Sequence, residues 1–213
     1  MRKRNAAILT AAAAFIALPG CASKSSTSST TATSPSVAQT AKALKRAKSL
    51  YTALLTTAYP DAQLPSGFSS AKVSLSTPSK QGQKYHVVGE ISVAVDGPDP
   101  NDGIFYYVFP NVTDAMGDLT NAKPKGNLHI MPGGVPTYPA KSSCMYAGSV
   151  TGQNVLGKNV TDGLTAAFVV KGNMIVGSLN TSADNTDSGN VPAALELLKS
   201  ALRHLAAVKT ASK

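Results

Sequence analysis

The stretch Ile104-Phe105-Tyr106-Tyr107-Val108-Phe109 is apolar or aromatic at every position. A strand with one face in water alternates apolar and polar residues, whereas a strand covered on both faces does not need to. The stretch therefore predicts a central strand of a sheet that has packed layers above and below it.

The segments before this stretch predict two partner strands. Lys72 to Ser76 predicts a short strand. In the longer segment from Tyr85 to Val95, apolar residues alternate with His86, Glu90 and Ser92. This alternation indicates a half-buried strand whose polar residues face the solvent.

The segments after the stretch predict further sheet structure and a short helix capped by Asn111 or Thr113. Lys171-Gly-Asn173 is typical of a hairpin turn, so the late strands are expected to be antiparallel. The predicted elements are the helix Val112 to Ala122 and the strands Leu128 to Met131, Ser143 to Val150, Leu164 to Val170 and Ile175 to Leu179.

Longer helices are predicted at both ends of this region. Val37 to Ala58 has apolar residues at helical spacing, and Asn190-Val-Pro192 begins a final helix with a leucine stripe. The order of elements predicts an α+β domain, in which an antiparallel sheet carries packed N-terminal and C-terminal helices.

The first residues of the chain have the pattern of an export signal. Arg2, Lys3 and Arg4 precede the run Ala6 to Leu18, which is 13 residues long and apolar apart from Thr10. Such a run is too short to span a bilayer and is typical of the hydrophobic region of a signal peptide.

The run ends in Leu18-Pro19-Gly20-Cys21, which resembles the lipobox of bacterial surface lipoproteins. The resemblance implies that Cys21 receives diacylglycerol before signal peptidase II cuts in front of it. Pro19 departs from the Ala, Ser or Gly usual at that position, which bears on cleavage efficiency. A cut by signal peptidase I after Ala22 remains an alternative, and it would release a soluble secreted protein.

Three regions follow from these patterns: a signal peptide at 1–20, a lipidated tether at 21–36 and a single extracytoplasmic domain at 37–213. Ser23 to Pro35 is almost entirely Ser, Thr, Ala and Lys, a composition that cannot bury enough apolar surface to fold. Fully extended, it spans at most about 45 Å. The Ser/Thr-rich tether and the order of elements also resemble small actinobacterial lipoproteins.

The chain is basic, with a formal charge of +9. Loss of Arg2, Lys3 and Arg4 with the signal peptide leaves 17 basic against 11 acidic residues, a charge of +6. Either this excess favours anionic lipid or cell-wall polymer, or it is ordinary solubilising charge, and an exported chain without a dense basic patch is not expected to bind nucleic acid.

The first predicted helix carries a basic cluster close to the anchor. Its members are Lys42, Lys45, Arg46 and Lys48. Either they face anionic phospholipid, or they form an ordinary solvated helix face.

The cysteines and histidines do not indicate a reactive or metal-binding site. With Cys21 lipidated, Cys144 has no cysteine partner, and we expect it to be a small buried residue. His86, His129 and His204 lack the spacing of metal ligands, and His204 is expected to be structural.

Two further patterns are weaker than they first look. The loop Asp96 to Gly103 is rich in acids and glycine but lacks the alternate-residue spacing of a calcium loop, so we expect a strand-connecting turn. Ser69-Ser-Ala-Lys72 matches one motif of penicillin-recognising enzymes, whose other motifs are missing. No metal or cofactor is expected.

These observations together predict a membrane-anchored lipoprotein on the extracytoplasmic side, without catalytic activity. It would act as a binding or interaction module for an apolar ligand or a cell-envelope component. The alternatives are a structural protein that docks a membrane complex and an envelope hydrolase.

Overall fold

A computed structural model describes residues 37–98, 102–121, 127–153, 159–182 and 189–211 of the chain. The predicted signal peptide, the tether and the lipobox with Cys21 lie outside these residues. The helices are α1 (Val37–Thr56), α2 (Lys80–Lys84), α3 (Val112–Asn121) and α4 (Val191–Ala211). The strands are β1 (Ser69–Ser76), β2 (Gly89–Asp96), β3 (Asp102–Val108), β4 (His129–Ile130), β5 (Ser143–Gln153), β6 (Asn159–Val170) and β7 (Met174–Ser182).

The strands form one seven-stranded sheet in the order β1-β2-β3-β7-β6-β5-β4. Every neighbouring pair is antiparallel. With α1 and α4 at the two ends of the described chain, this confirms the predicted α+β class and the antiparallel sheet.

β3 lies inside the sheet and is buried along its whole length, as its apolar sequence predicts. Ile104, Tyr106 and Val108 belong to the core on one face, whereas Phe105 and Tyr107 belong to the core on the other. The sheet is therefore covered on both sides.

The first core lies under α1 and α4. Ala47 and Leu54 of α1 and Leu197 and Leu205 of α4 pack there with apolar side chains of the sheet. Ala47 and Leu54 are seven residues apart, about two helical turns, and the buried positions of α4 recur every three to four residues, so each helix buries one face.

The second core is aromatic and lies under α3. Phe109, Tyr146 and Phe168 pack with Ala115 and Leu119 of the helix. Asn111 caps α3, because its Oδ1 accepts a hydrogen bond from the Asp114 backbone N–H at 2.9 Å. The capping prediction is confirmed for Asn111.

The prediction for Tyr85 to Val88 is wrong, because β2 begins only at Gly89. The polar run before it forms α2, whose N-cap is Ser79, and His86 then adopts a φ of 58°. The tight turn at His86 ends the helix and prevents this segment from joining the strand.

The expectation that the polar side of β2 faces solvent is also wrong. Glu90 and Ser92 are each only 6% exposed. A period of two shows that a strand has two different faces, but packing of α2 and α3 decides whether the polar face meets water.

The late strands were correctly predicted, but they are longer than expected. β5 and β6 pair over their full lengths, and β6 leads to β7 through the hairpin at Lys171 to Asn173. The alternation of apolar and polar residues weakens towards the ends of these strands, so the sequence pattern stops early. The backbone hydrogen bonds to the neighbouring strand continue further, which makes the observed strands longer.

Candidate functional site

The basic residues of α1 lie on the side of the helix that faces away from the sheet. Ala47 marks the inward side, since it is only 1% exposed. At 100° per residue, the four cations are each about 100° or more around the helix axis from Ala47. All four are exposed: Lys42, Lys45, Arg46 and Lys48. We refer to these four residues as the basic face.

The charge of the basic face is not neutralised within the described part of the chain. α1 contains no Asp or Glu, and the ion pairs in the described residues join His86 to Asp114 and Lys199 to Glu196. The basic face therefore presents four positive charges to the surroundings.

A surface depression of about 700 Å³ runs beside the basic face. Its described lining consists of α1 residues alone, among them Leu44, Lys45, Lys48, Ser49 and Thr52. Leu44 is 36% exposed and lines the same depression at the edge of the basic face.

On the other face of the sheet, the structure holds two buried carboxyl groups that sequence reasoning missed. Glu90 of β2 is 6% exposed and Asp118 of α3 is 1% exposed. Glu90 Oε1 accepts a hydrogen bond from the Ser79 backbone N–H at 2.9 Å, which ties it to the start of α2. Asp118 Oδ1 has no hydrogen-bond partner among the described residues.

Burial sets the protonation of these carboxyl groups. It raises the pKa of Glu90 to about 7, although the hydrogen bonds from Ser79 oppose the rise. Burial likewise raises the pKa of Asp118 to about 7, and the negative charge of Glu90 adds to the effect. The pKa of neighbouring Tyr107 is held well above its usual value by burial and then by the two carboxylates.

The pair can take up or release a proton near neutral pH, but its burial leaves little room for a substrate to touch it. A sequence signal for Asp118 exists, since it lies three residues after Ala115 and beside Leu119 on the inward side of α3. A carboxyl group at that spacing is unusual on an apolar helix face. Glu90 carries no such signal, because its alternation is that of a solvated strand face.

His204 occupies the structural position expected from the sequence. His204 is 2% exposed, its ring stacks on Tyr59 at 4.3 Å between centroids, and its Nδ1 lies 3.1 Å from Gln63 Oε1. Burial lowers the pKa of His204, which favours the neutral form of the ring. The structural role predicted for this residue is confirmed.

The network around His204 joins α4 to the turn that follows α1. The Tyr59 hydroxyl and Ser200 Oγ are 2.6 Å apart, and Ser200 also donates to the Gln63 carbonyl oxygen. Tyr106 donates to the Ala201 carbonyl oxygen at 3.0 Å. These groups are occupied with one another, so the network stabilises the domain.

Metal binding has no support within the described ranges, where no group of three or more His, Cys, Asp and Glu side chains could hold an ion. In the acidic loop, residues 99–101 lie outside the description. Asp102 is buried and accepts hydrogen bonds from Asn180 Nδ2 at 2.8 Å and from the Thr181 backbone N–H at 3.2 Å. As predicted, the loop joins two antiparallel strands, β2 and β3.

The remaining sequence candidates occupy structural positions. Cys144 is fully buried on β5 beside the aromatic core, as expected. Ser69 and Lys72 lie on strand β1, where a helical nucleophile motif cannot form. None of the helices in the described ranges is long and apolar enough to cross a membrane.

No protein-family model matches this chain, and no curated protein is significantly similar to it. Its function is therefore inferred from its own residues and their geometry.

Proposed function

We propose that this protein is a membrane lipoprotein on the extracytoplasmic side, anchored by diacylglycerol on Cys21, which acts as a non-enzymatic interaction module. The lipobox-like sequence Leu18 to Cys21 supports the anchor. The described domain begins at Val37, so the Ser/Thr-rich segment lies between it and the anchor.

The observation that carries the proposed mode of binding is the distribution of space and charge. The side chains between the sheet and α1 and α4 belong to a packed core, and those under α3 belong to another. The depression beside the basic face is on the outside of the domain. This arrangement favours the hypothesis that an envelope partner docks on the surface. It disfavours the hypothesis that an apolar ligand is carried in the interior.

The groups that most often perform catalysis have other partners. His204 and Ser200 are occupied in the network that holds α4, and Glu90 and Asp118 lie beneath α2 and α3. This supports a non-enzymatic role over the hydrolase alternative.

Metabolic labelling with a fatty-acid analogue tests the anchor in a bacterial host that has the lipoprotein pathway. We expect the wild-type chain to be labelled and Cys21→Ala to lose the label completely, because only a thiol at this position accepts diacylglycerol. Cys144→Ala is the matched control, since it removes the other cysteine of the chain, and it should be labelled like the wild type.

Equal labelling of the wild type and Cys21→Ala contradicts the proposal. An unlabelled mature chain that begins at Ser23 identifies the signal peptidase I alternative instead. N-terminal mass spectrometry distinguishes these outcomes.

A further inference from the structure

We infer that the basic face of α1 lies against the anionic phospholipid surface of the membrane and thereby sets the orientation of the anchored domain. This inference rests on the proposed lipid anchor. It assigns a partner of defined chemistry, anionic lipid headgroups, to Lys42, Lys45, Arg46 and Lys48.

The first support is that the basic face is not explained by stability. Lys42 is three residues from Lys45 and four from Arg46, and Lys45 is three from Lys48. Like charges at these spacings are neighbours on a helix and weaken it. No acidic group of the described chain relieves this repulsion by an ion pair, so an external anionic partner would relieve it.

The second support is the position of the basic face relative to the anchor. Three of the four cations lie in the first ten residues of the 20-residue helix α1, the half nearer in sequence to Cys21, and Lys48 is its twelfth residue. Residues 22–36 connect Cys21 to the helix, and 15 residues reach at most about 50 Å. A domain held at this range repeatedly meets the lipid surface, so even weak attraction is enough to orient it.

The third support is the chemistry of the surface around the cations. Leu44 is partly exposed beside Lys45 and Lys48, and Ser49 and Thr52 continue the same open depression. Clusters of four or more Lys and Arg on a helix close to a membrane attachment are typical of segments that bind anionic lipid headgroups.

The test places a reporter on the basic face of the full lipidated protein. Ser49 is exposed on the outward side of α1, and a nitroxide on Ser49→Cys reports its distance from lipid. Thr113→Cys on α3 is the matched site, because α3 covers the opposite face of the sheet. The protein is reconstituted into vesicles of phosphatidylcholine alone or of phosphatidylcholine with phosphatidylglycerol.

We expect the label at position 49 to be immobilised and shielded from aqueous quencher only in the vesicles that contain phosphatidylglycerol. High salt should reverse the effect, since it screens charge. The label at position 113 should stay mobile in both lipids. Equal behaviour of the two labels, or an effect without phosphatidylglycerol, overturns the inference.

Charge variants then separate the basic face from total charge. Replacing Lys42, Lys45, Arg46 and Lys48 by Gln should abolish the effect at position 49. The matched control replaces four exposed lysines elsewhere by Gln and should retain it: Lys72, Lys80, Lys141 and Lys171. If both variants lose the effect equally, general charge explains it and the inference fails.

Co-sedimentation of the same samples distinguishes failure of the anchor from failure of the basic face. Sedimentation with neutral vesicles reports the anchor alone and should be the same for all variants. If the chain does not sediment with neutral vesicles, the proposed anchor fails. In that case, the partition coefficient of the unanchored chain onto anionic vesicles still tests the basic face. We expect this coefficient to be more than about tenfold lower for the Lys42/Lys45/Arg46/Lys48 variant than for the wild type, because each cation near such a surface raises binding about fivefold. An unchanged partition contradicts the basic face as well.

Discussion

Glu90 and Asp118 are the residues whose environment departs most from what their side chains prefer. A carboxylate loses its hydration when it is buried. For Glu90, the hydrogen bond that it accepts from Ser79 replaces only part of the lost hydration free energy. Asp118 lies on the inward side of α3, and Tyr107 is the partner of Glu90 across the β2–β3 pair. Near pH 7 these groups hold a proton instead of two full charges.

The raised pKa values predict a stability that falls as the pH rises. The pKa values of Glu90 and Asp118 rise to about 7 from ordinary values of 4.5 and 3.8. The folded chain therefore binds protons more tightly than the unfolded chain. The contribution of the pair is complete below about pH 4 and is lost as the pH rises through about 7, on the order of 3 kcal/mol for each carboxyl.

Urea unfolding followed by circular dichroism measures the free energy of unfolding as a function of pH. The measurements should run from about pH 5 to about pH 8, which brackets the raised pKa values. We expect Glu90→Gln and Asp118→Asn each to flatten the decline in the free energy of unfolding. Asp61→Asn, at an exposed carboxylate, should leave the decline unchanged. Parallel curves for all four proteins would show that the buried pair does not govern the pH dependence.

At the scale of the elements, α1 combines a face that the fold needs with a face that the fold does not need. Ala47 and Leu54 dock the helix on the sheet, and their spacing was readable in advance. The basic face contributes repulsion instead of packing. α2 shows the opposite case, because it has few apolar residues for a pattern to reveal and is held by the Ser79 cap and by Glu90.

Neutralising the basic face should stabilise the domain when no anionic lipid is present. The change of Lys42, Lys45, Arg46 and Lys48 to Gln removes three like-charge neighbour pairs, each of which costs about 0.2–0.5 kcal/mol. Gln has nearly the helix propensity of Lys and Arg, so the backbone preference is preserved. We expect the free energy of unfolding to rise by about 1 kcal/mol in neutral detergent.

Urea unfolding in that detergent measures the change. The control variant at Lys72, Lys80, Lys141 and Lys171 should shift the free energy of unfolding by less than about 0.5 kcal/mol, since it removes a single like-charge helical pair, Lys80 with Lys84. A loss of stability in the α1 variant would mean that the basic face serves the fold.

Over the whole molecule, one sheet separates two packed cores. α1 and α4 cover one of its faces, and α3 covers the other with aromatic side chains beneath it. The hydrogen bonds among Tyr59, Gln63 and Ser200 join distant parts of the chain and hold α4 in place. An interior built in this way leaves the outer surface for the proposed partner.

The packed cores predict that no apolar ligand copurifies with the protein. Native mass spectrometry after mild detergent extraction should give the mass of the polypeptide with its covalent acyl groups. The spectrum of the same sample after denaturation is the control, because it retains covalent lipid and loses bound ligand. A stoichiometric mass difference between the two spectra would favour an apolar carrier over the docking role.

Local patterns were sufficient for the strand β3, the inward faces of α1 and α4, the hairpin at Lys171 to Asn173, and the buried Cys144. Each of these depends on near neighbours in the chain, where periodicity and turn chemistry act directly. The basic face was predicted for the same reason, because helical spacing alone places its residues. The charge of the basic face is read directly from the sequence. Its exposure to solvent follows because the apolar residues on the opposite side of the helix pack on the sheet.

Three-dimensional packing decided the features that depend on distant segments. β3 pairs with β7 across a long interval of chain, and the bond between Ser79 and Glu90 requires α2 to fold back onto β2. No local pattern shows that the charge of Glu90 acts on the pKa of Asp118 in helix α3. The physical reason is that solvation is set by all the atoms around a group, whereas a pattern in the chain records only which residues precede and follow it.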